Sequence, residues 1–268
     1  MLTTVVANCG IFVPRQLVEV MPENQPLAGR CVLVTGGARR VGAAIVRAMH
    51  AAGANVAIHF RRSGDEARAL ACELESARAR STIAINADVR EPGSLAGLVA
   101  AVVQRFERLD VLVNNASSFY PTPVGAISLS QWNDLIDTNL RAPLFLSQAA
   151  AAELRKAQGC IINLADIHGQ RPLKRHTVYS TAKAGLIMLT RSLAREMGPE
   201  IRVNAIAPGP VLWPDDDMSA ELKNEIIAKT ALKRAGSPQD IARTAVFLAA
   251  YAPYVTGQVI AVDGGRSI

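Results

Sequence analysis

From Cys31 onward, short β-branched apolar runs alternate with longer stretches in which apolar residues recur at helical spacing. The runs predict strands over Cys31 to Thr35, Ala54 to Phe60, Ser81 to Ala87, Val111 to Asn115, Cys160 to Ala165, Arg202 to Ala207 and Gly257 to Val262. Several are apolar almost throughout, the pattern of strands covered on both faces. Between them the spacing predicts helices over Val41 to Ala52, Asp65 to Arg78, Gly93 to Phe106, Ser130 to Arg155, Tyr179 to Met197, Ala220 to Thr230 and Pro238 to Ala249. Parallel neighbours cannot be joined by a tight hairpin, so strict alternation of strand and helix implies a parallel sheet with helical crossovers. The expected fold class is α/β: a single doubly wound domain over residues 30–268, with a seven-stranded parallel sheet and helices on both faces. Residues 1–29 lack this rhythm and are expected to form an irregular arm. Two long irregular stretches, Ser117 to Leu129 and Ala207 to Met218, leave the carboxyl ends of strands, where such sheets bind ligands.

Composition narrows the setting. With 50% hydrophobic and 19% charged residues, the 268-residue chain is neither disordered nor dependent on disulfide staples. An aromatic content of 4% points to aliphatic core layers. Cys9, Cys31, Cys72 and Cys160 are scattered, with no metal-ligand spacing, which suits reduced thiols and a cytoplasmic location. Thr4 to Val13 is apolar but has no basic segment before it, and Arg15, Glu19 and Glu23 follow, so a targeting role is not expected. No apolar run is long enough to cross a membrane as a helix. The net charge of +6 asks for an anionic partner, whose nature must come from local chemistry.

The first strand runs into Thr35-Gly36-Gly37-Ala38-Arg39-Arg40-Val41-Gly42 and a helix. Any tight βα turn favours glycine, but a glycine-rich turn opening the first helix also lets backbone amides and the helix amino terminus approach a pyrophosphate. About 20 residues on, where NAD-specific folds carry a carboxylate for the ribose 2′-hydroxyl, stand Arg61, Arg62 and Ser63. Two guanidiniums and a hydroxyl suit a 2′-phosphate, so NADPH is the expected cofactor. Asp88 and Val89 follow the third strand, and Asp88 alone could equally sit at the start of the next helix. Tyr179 and Lys183 share one helical face at a spacing of four. A phenol needs help to exchange protons near neutrality, and a neighbouring ammonium together with a positive nicotinamide is expected to favour its phenolate. Asn114-Asn115-Ala116 after the fourth strand and Asn139 in the following helix make an accidental Y-x-x-x-K improbable.

Together these motifs resemble the short-chain dehydrogenase/reductase family and its Rossmann-type fold. Three departures are similar to its pteridine reductase branch. Arg40 stands where the glycine loop usually has its second glycine, Asp166 stands where most members have a carbonyl-binding serine, and Asn115-Ala116-Ser117-Ser118-Phe119-Tyr120-Pro121 matches that branch's loop. Ala207-Pro208-Gly209-Pro210 and the carboxyl-terminal Val262-Asp263-Gly264-Gly265 complete the frame. The resemblance implies Asp166, Tyr179, Lys183 and Asn139 as the catalytic group. It implies cofactor contacts from Gly36, Arg40, Val41, Gly42, Arg61, Arg62, Ser63, Asp88, Val89, Asn115, Ala116, Ser117, Tyr179, Lys183, Pro208 and Gly209. Substrate contacts would come from Arg40, Ser117, Phe119, Asp166, Tyr179, Pro210 and Trp213, with Phe119 stacking on a pterin or folate ring. Trp213 could instead anchor a surface loop beside Asp215, Asp216 and Asp217. Rival readings are a ketone, quinone or acyl-carrier-protein thioester reductase, and a non-catalytic NADPH sensor on the same scaffold. Scattered basic residues argue against nucleic acid. Kinship implies a homotetramer, although the Leu186, Leu189, Leu193 stripe could pack on the sheet instead.

Overall fold

A computed structural model of the protein describes residues 25–213 and 218–268. Seven parallel strands form one sheet in the order β3-β2-β1-β4-β5-β6-β7. They are β1 (Cys31–Val34), β2 (Asn55–Phe60), β3 (Thr82–Asn86), β4 (Val111–Asn114), β5 (Cys160–Leu164), β6 (Arg202–Pro208) and β7 (Val259–Val262). The helices are α1 (Arg40–Ala51), α2 (Gly64–Ala77), α3 (Pro92–Phe106), α4 (Leu129–Ile136), α5 (Ala142–Lys156), α6 (Thr177–Met197), α7 (Ala220–Ala228) and α8 (Pro238–Ala250). Each expected strand is present, and each expected helix but one, with ends shifted by a few residues.

Because successive strand residues face opposite sides, β1 divides its side chains between two cores. Val32 and Val34 pack with α1, α2 and α8 on one face, and Cys31 and Leu33 pack with α3, α5 and α6 on the other. Burial on both sides explains the uninterrupted apolar strand sequences. Leu27 is also fully buried and its N–H donates to the Ala52 carbonyl at 2.8 Å, so the packed body begins before Arg30. The remainder of the expected arm, residues 1–24, lies outside the described residues, as do Asp215, Asp216 and Asp217. Leu186 and Leu193 are buried and Leu189 packs partly against the same core, so this stripe faces inward.

One expected helix differs. Ser130 to Arg155 is not a single α-helix: a π turn, Asp137–Arg141, separates α4 from α5. Pro143 in the first turn of α5 has no N–H to offer the Asn139 carbonyl, and the Ala142 N–H reaches back five residues to the Asp137 carbonyl. The widened turn carries Asn139, fully buried, toward the carboxyl ends of the strands.

Those ends are braced by a buried amide ladder. Asn114 Nδ2 donates to Asn163 Oδ1 at 2.8 Å, Asn163 Nδ2 to Thr190 Oγ1 at 2.9 Å, and that hydroxyl to the Leu186 carbonyl at 2.8 Å. Asn163→Ala removes the best acceptor of the buried Asn114 amide and the donor to Thr190 Oγ1. It is expected to cost about 1–3 kcal/mol, measurable as a lower urea midpoint at unchanged m-value. Among the described residues no helix is long and apolar enough to cross a membrane.

Candidate active site

The order β2-β1-β4 puts the crossovers from β1 and β4 on opposite faces, which opens a crevice above their carboxyl ends. Thr35 and Asn115 pin its floor. Thr35 Oγ1 accepts the N–H groups of Asn115 and Ala116 at 2.9 and 3.0 Å, and Asn115 Nδ2 donates to the carbonyls of Thr35 and Gly36 at 2.8 and 3.0 Å. Gly36 adopts a left-handed φ of 59°. The turn then folds so tightly onto α1 that a Cβ on Gly42 would lie 2.2 Å from the Gly36 carbonyl oxygen. Glycine at both positions therefore creates a bare backbone cradle at a helix amino terminus, where the first amides have no intrahelical acceptor. The Ala43 N–H, by contrast, already bonds the Arg39 carbonyl at 3.1 Å.

Arg40 occupies the position where the motif usually has glycine, and its backbone shows why: φ is 52°, a left-handed conformation costly for a side chain. Its guanidinium Nη2 donates to the Trp213 carbonyl at 3.0 Å, which ties the glycine loop to the loop after β6. Arg40→Gly removes the strain and the tie together. We expect unchanged or slightly raised Tm by calorimetry but at least a fivefold higher KM for cofactor or substrate, because the glycine loop loses its tie to the loop after β6.

At the end of β2 the basic spot is present. Arg61 lies 3.8 Å from Asp88, Arg62 is exposed, and Ser63 precedes α2. Asp88 is not the α3 cap, which is Glu91. Instead its carboxylate takes bonds from the Arg90 guanidinium and backbone N–H, with Arg61 nearby, and these hold its pKa down at about 2. Val89 beside it is buried in the core. Across the crevice Pro208 ends β6, and the Gly209 N–H bonds the Val262 carbonyl at 3.1 Å. A Cβ on Gly209 would come within 2.6 Å of Asp263, so the chain passes there only as glycine. The Pro210 carbonyl accepts the Gly236 N–H at 3.0 Å, and Trp213 is half-buried. An exposed arginine, the Arg61 guanidinium and a bare glycine cradle fit a dinucleotide with an additional ribose phosphate, the donor set for NADPH.

The reacting end lies between β5 and α6. Asp166, in extended backbone just past β5, accepts the His168 N–H at Oδ1 (2.8 Å) and the Tyr179 hydroxyl at Oδ2 (2.7 Å). Tyr179 is buried, and burial, followed by the charge of Asp166 and the hydrogen bond to it, raises the phenol well above its ordinary range. The neighbouring Ser117 hydroxyl opposes this weakly. Asp166 thus opposes the phenolate that Lys183 would favour. Lys183 is 3% exposed and its pKa is pushed down to about 8, because burial outweighs the attraction of Asp166. Its Nζ donates to the Leu164 carbonyl at 2.7 Å and lies 5.6 Å from the Tyr179 ring centroid. Asn139 serves the adjoining loop. Its Nδ2 donates to the Ser118 carbonyl at 2.9 Å, and its Oδ1 accepts the Ser117 hydroxyl at 2.6 Å.

Phe119 is brought to this group, with its ring edge-on to Tyr179 at 4.8 Å and 46% exposed. The other side of the contact was not foreseen. His176, the residue before α6, stacks on Phe119 with centroids 4.6 Å apart and planes within 13°. Thr35 and His59 were also missed, since neither type marks a site and their partners are remote in sequence.

A doubly wound sheet, a glycine cradle at its switch point and a Tyr–Lys–Asp group whose Tyr179 and Lys183 are buried define a dinucleotide-dependent oxidoreductase. The chain belongs to the short-chain dehydrogenase/reductase family. The profile described as enoyl-(acyl carrier protein) reductase matches residues 36–267. The 3-oxoacyl-(acyl-carrier-protein) reductase FabG of Staphylococcus aureus (strain MW2) is 38% identical over 240 residues, covering 88% of this chain and 97% of the relative. Pteridine reductase 1 of Leishmania tarentolae is 36% identical over 277 residues, covering 88% and 96%. Among solved structures, a blue fluorescent protein from a metagenomic library in complex with NADPH superposes with a TM-score of 0.85 at 36% identity, covering 91% of this chain and all of that one.

Proposed function

We propose that the protein is an NADPH-dependent pteridine reductase, acting on an oxidised pterin or folate. The observation that carries this reading is the 2.7 Å bond between Tyr179 and Asp166. A substrate ketone presents only an acceptor oxygen, which a carboxylate repels, whereas a pterin presents ring and amino N–H groups that a carboxylate accepts. When bound, NADPH supplies the hydride to a ring carbon of the C=N bond. Tyr179, held protonated, donates its proton to the adjacent ring nitrogen, and Asp166 both orients the phenol and accepts substrate N–H groups. Lys183 holds the ribose and supplies a nearby proton source. Ser117 and Asn139 shape the floor, half-exposed Phe119 with His176 stacked on it is the ring available to a planar substrate, and Arg40 closes the site through the Trp213 carbonyl.

NADPH oxidation with dihydrobiopterin, dihydrofolate and a panel of ketones and 3-oxoacyl thioesters tests this reading. Turnover of ketones without pterins would replace it with the second reading, a 3-oxoacyl reductase, which the FabG similarity favours. Asp166→Ser separates the two further. Pterin kcat/KM is expected to fall at least a hundredfold, while any ketone activity rises, because a hydroxyl can donate to a carbonyl. The expected homotetramer is retained as part of the proposal. Half-exposed Phe145 on α5 and exposed Met188 on α6 support an apolar association surface. Sedimentation at micromolar concentration should show a species heavier than the 28.5 kDa monomer.

A further inference from the structure

His59 is 2% exposed, near the end of β2, and does not belong to the Tyr179 group. It nevertheless joins two walls of the cofactor crevice. Its Nδ1 accepts the Gly36 N–H at 3.1 Å, its backbone carbonyl accepts the Gly37 N–H at 2.9 Å, and its Nε2 lies 3.1 Å from the Ala87 carbonyl. An amide can only donate and a carbonyl can only accept, so the imidazole must be neutral, with its proton on Nε2. Both inward amides of the Gly36-Gly37 turn are thereby satisfied by one residue. The first amides of α1 have no intrahelical acceptor.

We propose that neutral His59 is a positioning residue for NADPH, setting the glycine loop relative to the β3 end so that the phosphate cradle is formed before the cofactor arrives. A second proton on His59 would place N–H against N–H at Gly36 and force the turn open. Burial already favours the neutral form, lowering the imidazole pKa. The acid that faces it is Asp88 on the β3 side, itself paired with Arg90 and Arg61, and the glycine turn contributes amides on the β1 side. Cofactor affinity should therefore hold through the ordinary imidazole range and fall only below it, as acid charges the ring. The role requires only the cofactor, so it stands or fails independently of the substrate.

Amide side chains divide the two jobs. Asparagine can put an oxygen where Nδ1 stands, whereas glutamine puts a donor where Nε2 stands. By titration of NADPH fluorescence at pH 8, His59→Asn should bind within about threefold of the original protein, while His59→Leu and His59→Gln should bind at least tenfold more weakly, the scale of one unsatisfied buried amide. On acidification below the ordinary imidazole range the original protein should lose more affinity than His59→Asn, in which the 2′-phosphate of NADPH titrates unchanged. Should a variant fail to fold, NMR of the unaltered apoprotein gives the answer: the Gly36 amide shift and exchange rate should titrate together with the His59 ring nitrogens. Full NADPH affinity in His59→Leu, an identical acid limb in His59→Asn, or a Gly36 amide indifferent to the titration of His59 would each overturn the proposal.

Discussion

Tyr179→Phe is expected to lower kcat by about 10²–10⁴-fold, the range for loss of a positioned general acid. The phenol is buried, kept protonated by burial and by Asp166, and bonded to Oδ2 of that carboxylate at 2.7 Å. Phenylalanine fills nearly the same volume, so Tm should shift little. NADPH affinity should change less than threefold, because the phosphate cradle lies at the other end of the crevice. Stopped-flow hydride transfer at saturating NADPH, beside a fluorescence titration of cofactor binding, measures the two quantities separately. A variant that keeps full single-turnover activity would remove Tyr179 from the proton path and return the NADPH-sensor reading to consideration.

Gly42→Ala should have an effect of similar size on binding. The new methyl would sit 2.2 Å from the Gly36 carbonyl oxygen and 2.7 Å from Asn115 Nδ2. The first of these neighbours is backbone, and the second is already committed to the Thr35 and Gly36 carbonyls. The turn must open, which shifts the amides that form the cradle. An overpacked site of this kind costs about 1–3 kcal/mol of stability, and NADPH affinity should fall at least a hundredfold. Thermal unfolding with and without saturating NADPH reads both. The cofactor-induced rise in Tm of the original protein should shrink to near zero in the variant. An undiminished rise would mean that the cradle is not where the phosphates bind.

Several features of the site were legible before any coordinates because their causes are local. The Tyr179–Lys183 pairing follows from helical spacing, and the cradle follows from glycines at a strand-to-helix turn. The π turn had a signal in Pro143, which lies inside the stretch expected to be one helix and cannot donate to Asn139. The direction of the Tyr179 shift had no such signal. Lysine and aspartate both stand near the phenol, and their relative depth and reach decide which prevails. Lys183 donates a hydrogen bond to the Leu164 carbonyl, whereas Asp166 accepts one directly from the phenol. Arg40 shows a mixed case: its replacement of glycine was readable, while its left-handed backbone and its bond to Trp213 were not.

By itself, the sequence determined the alternation of strand and helix, the two-sided burial of the sheet, and the residue types that face the crevice. Periodicity and turn chemistry act over a few residues, so they are written locally. Only the tertiary structure decided that His59 meets Gly36 and Ala87, that His176 lies flat on Phe119, and that Asn139 bonds Ser117 and Ser118. A parallel sheet gathers the ends of strands far apart in the chain, and hydrogen bonds are selective to a few tenths of an ångström. Which groups become partners therefore depends on register and packing across the whole sheet, information that no single segment carries.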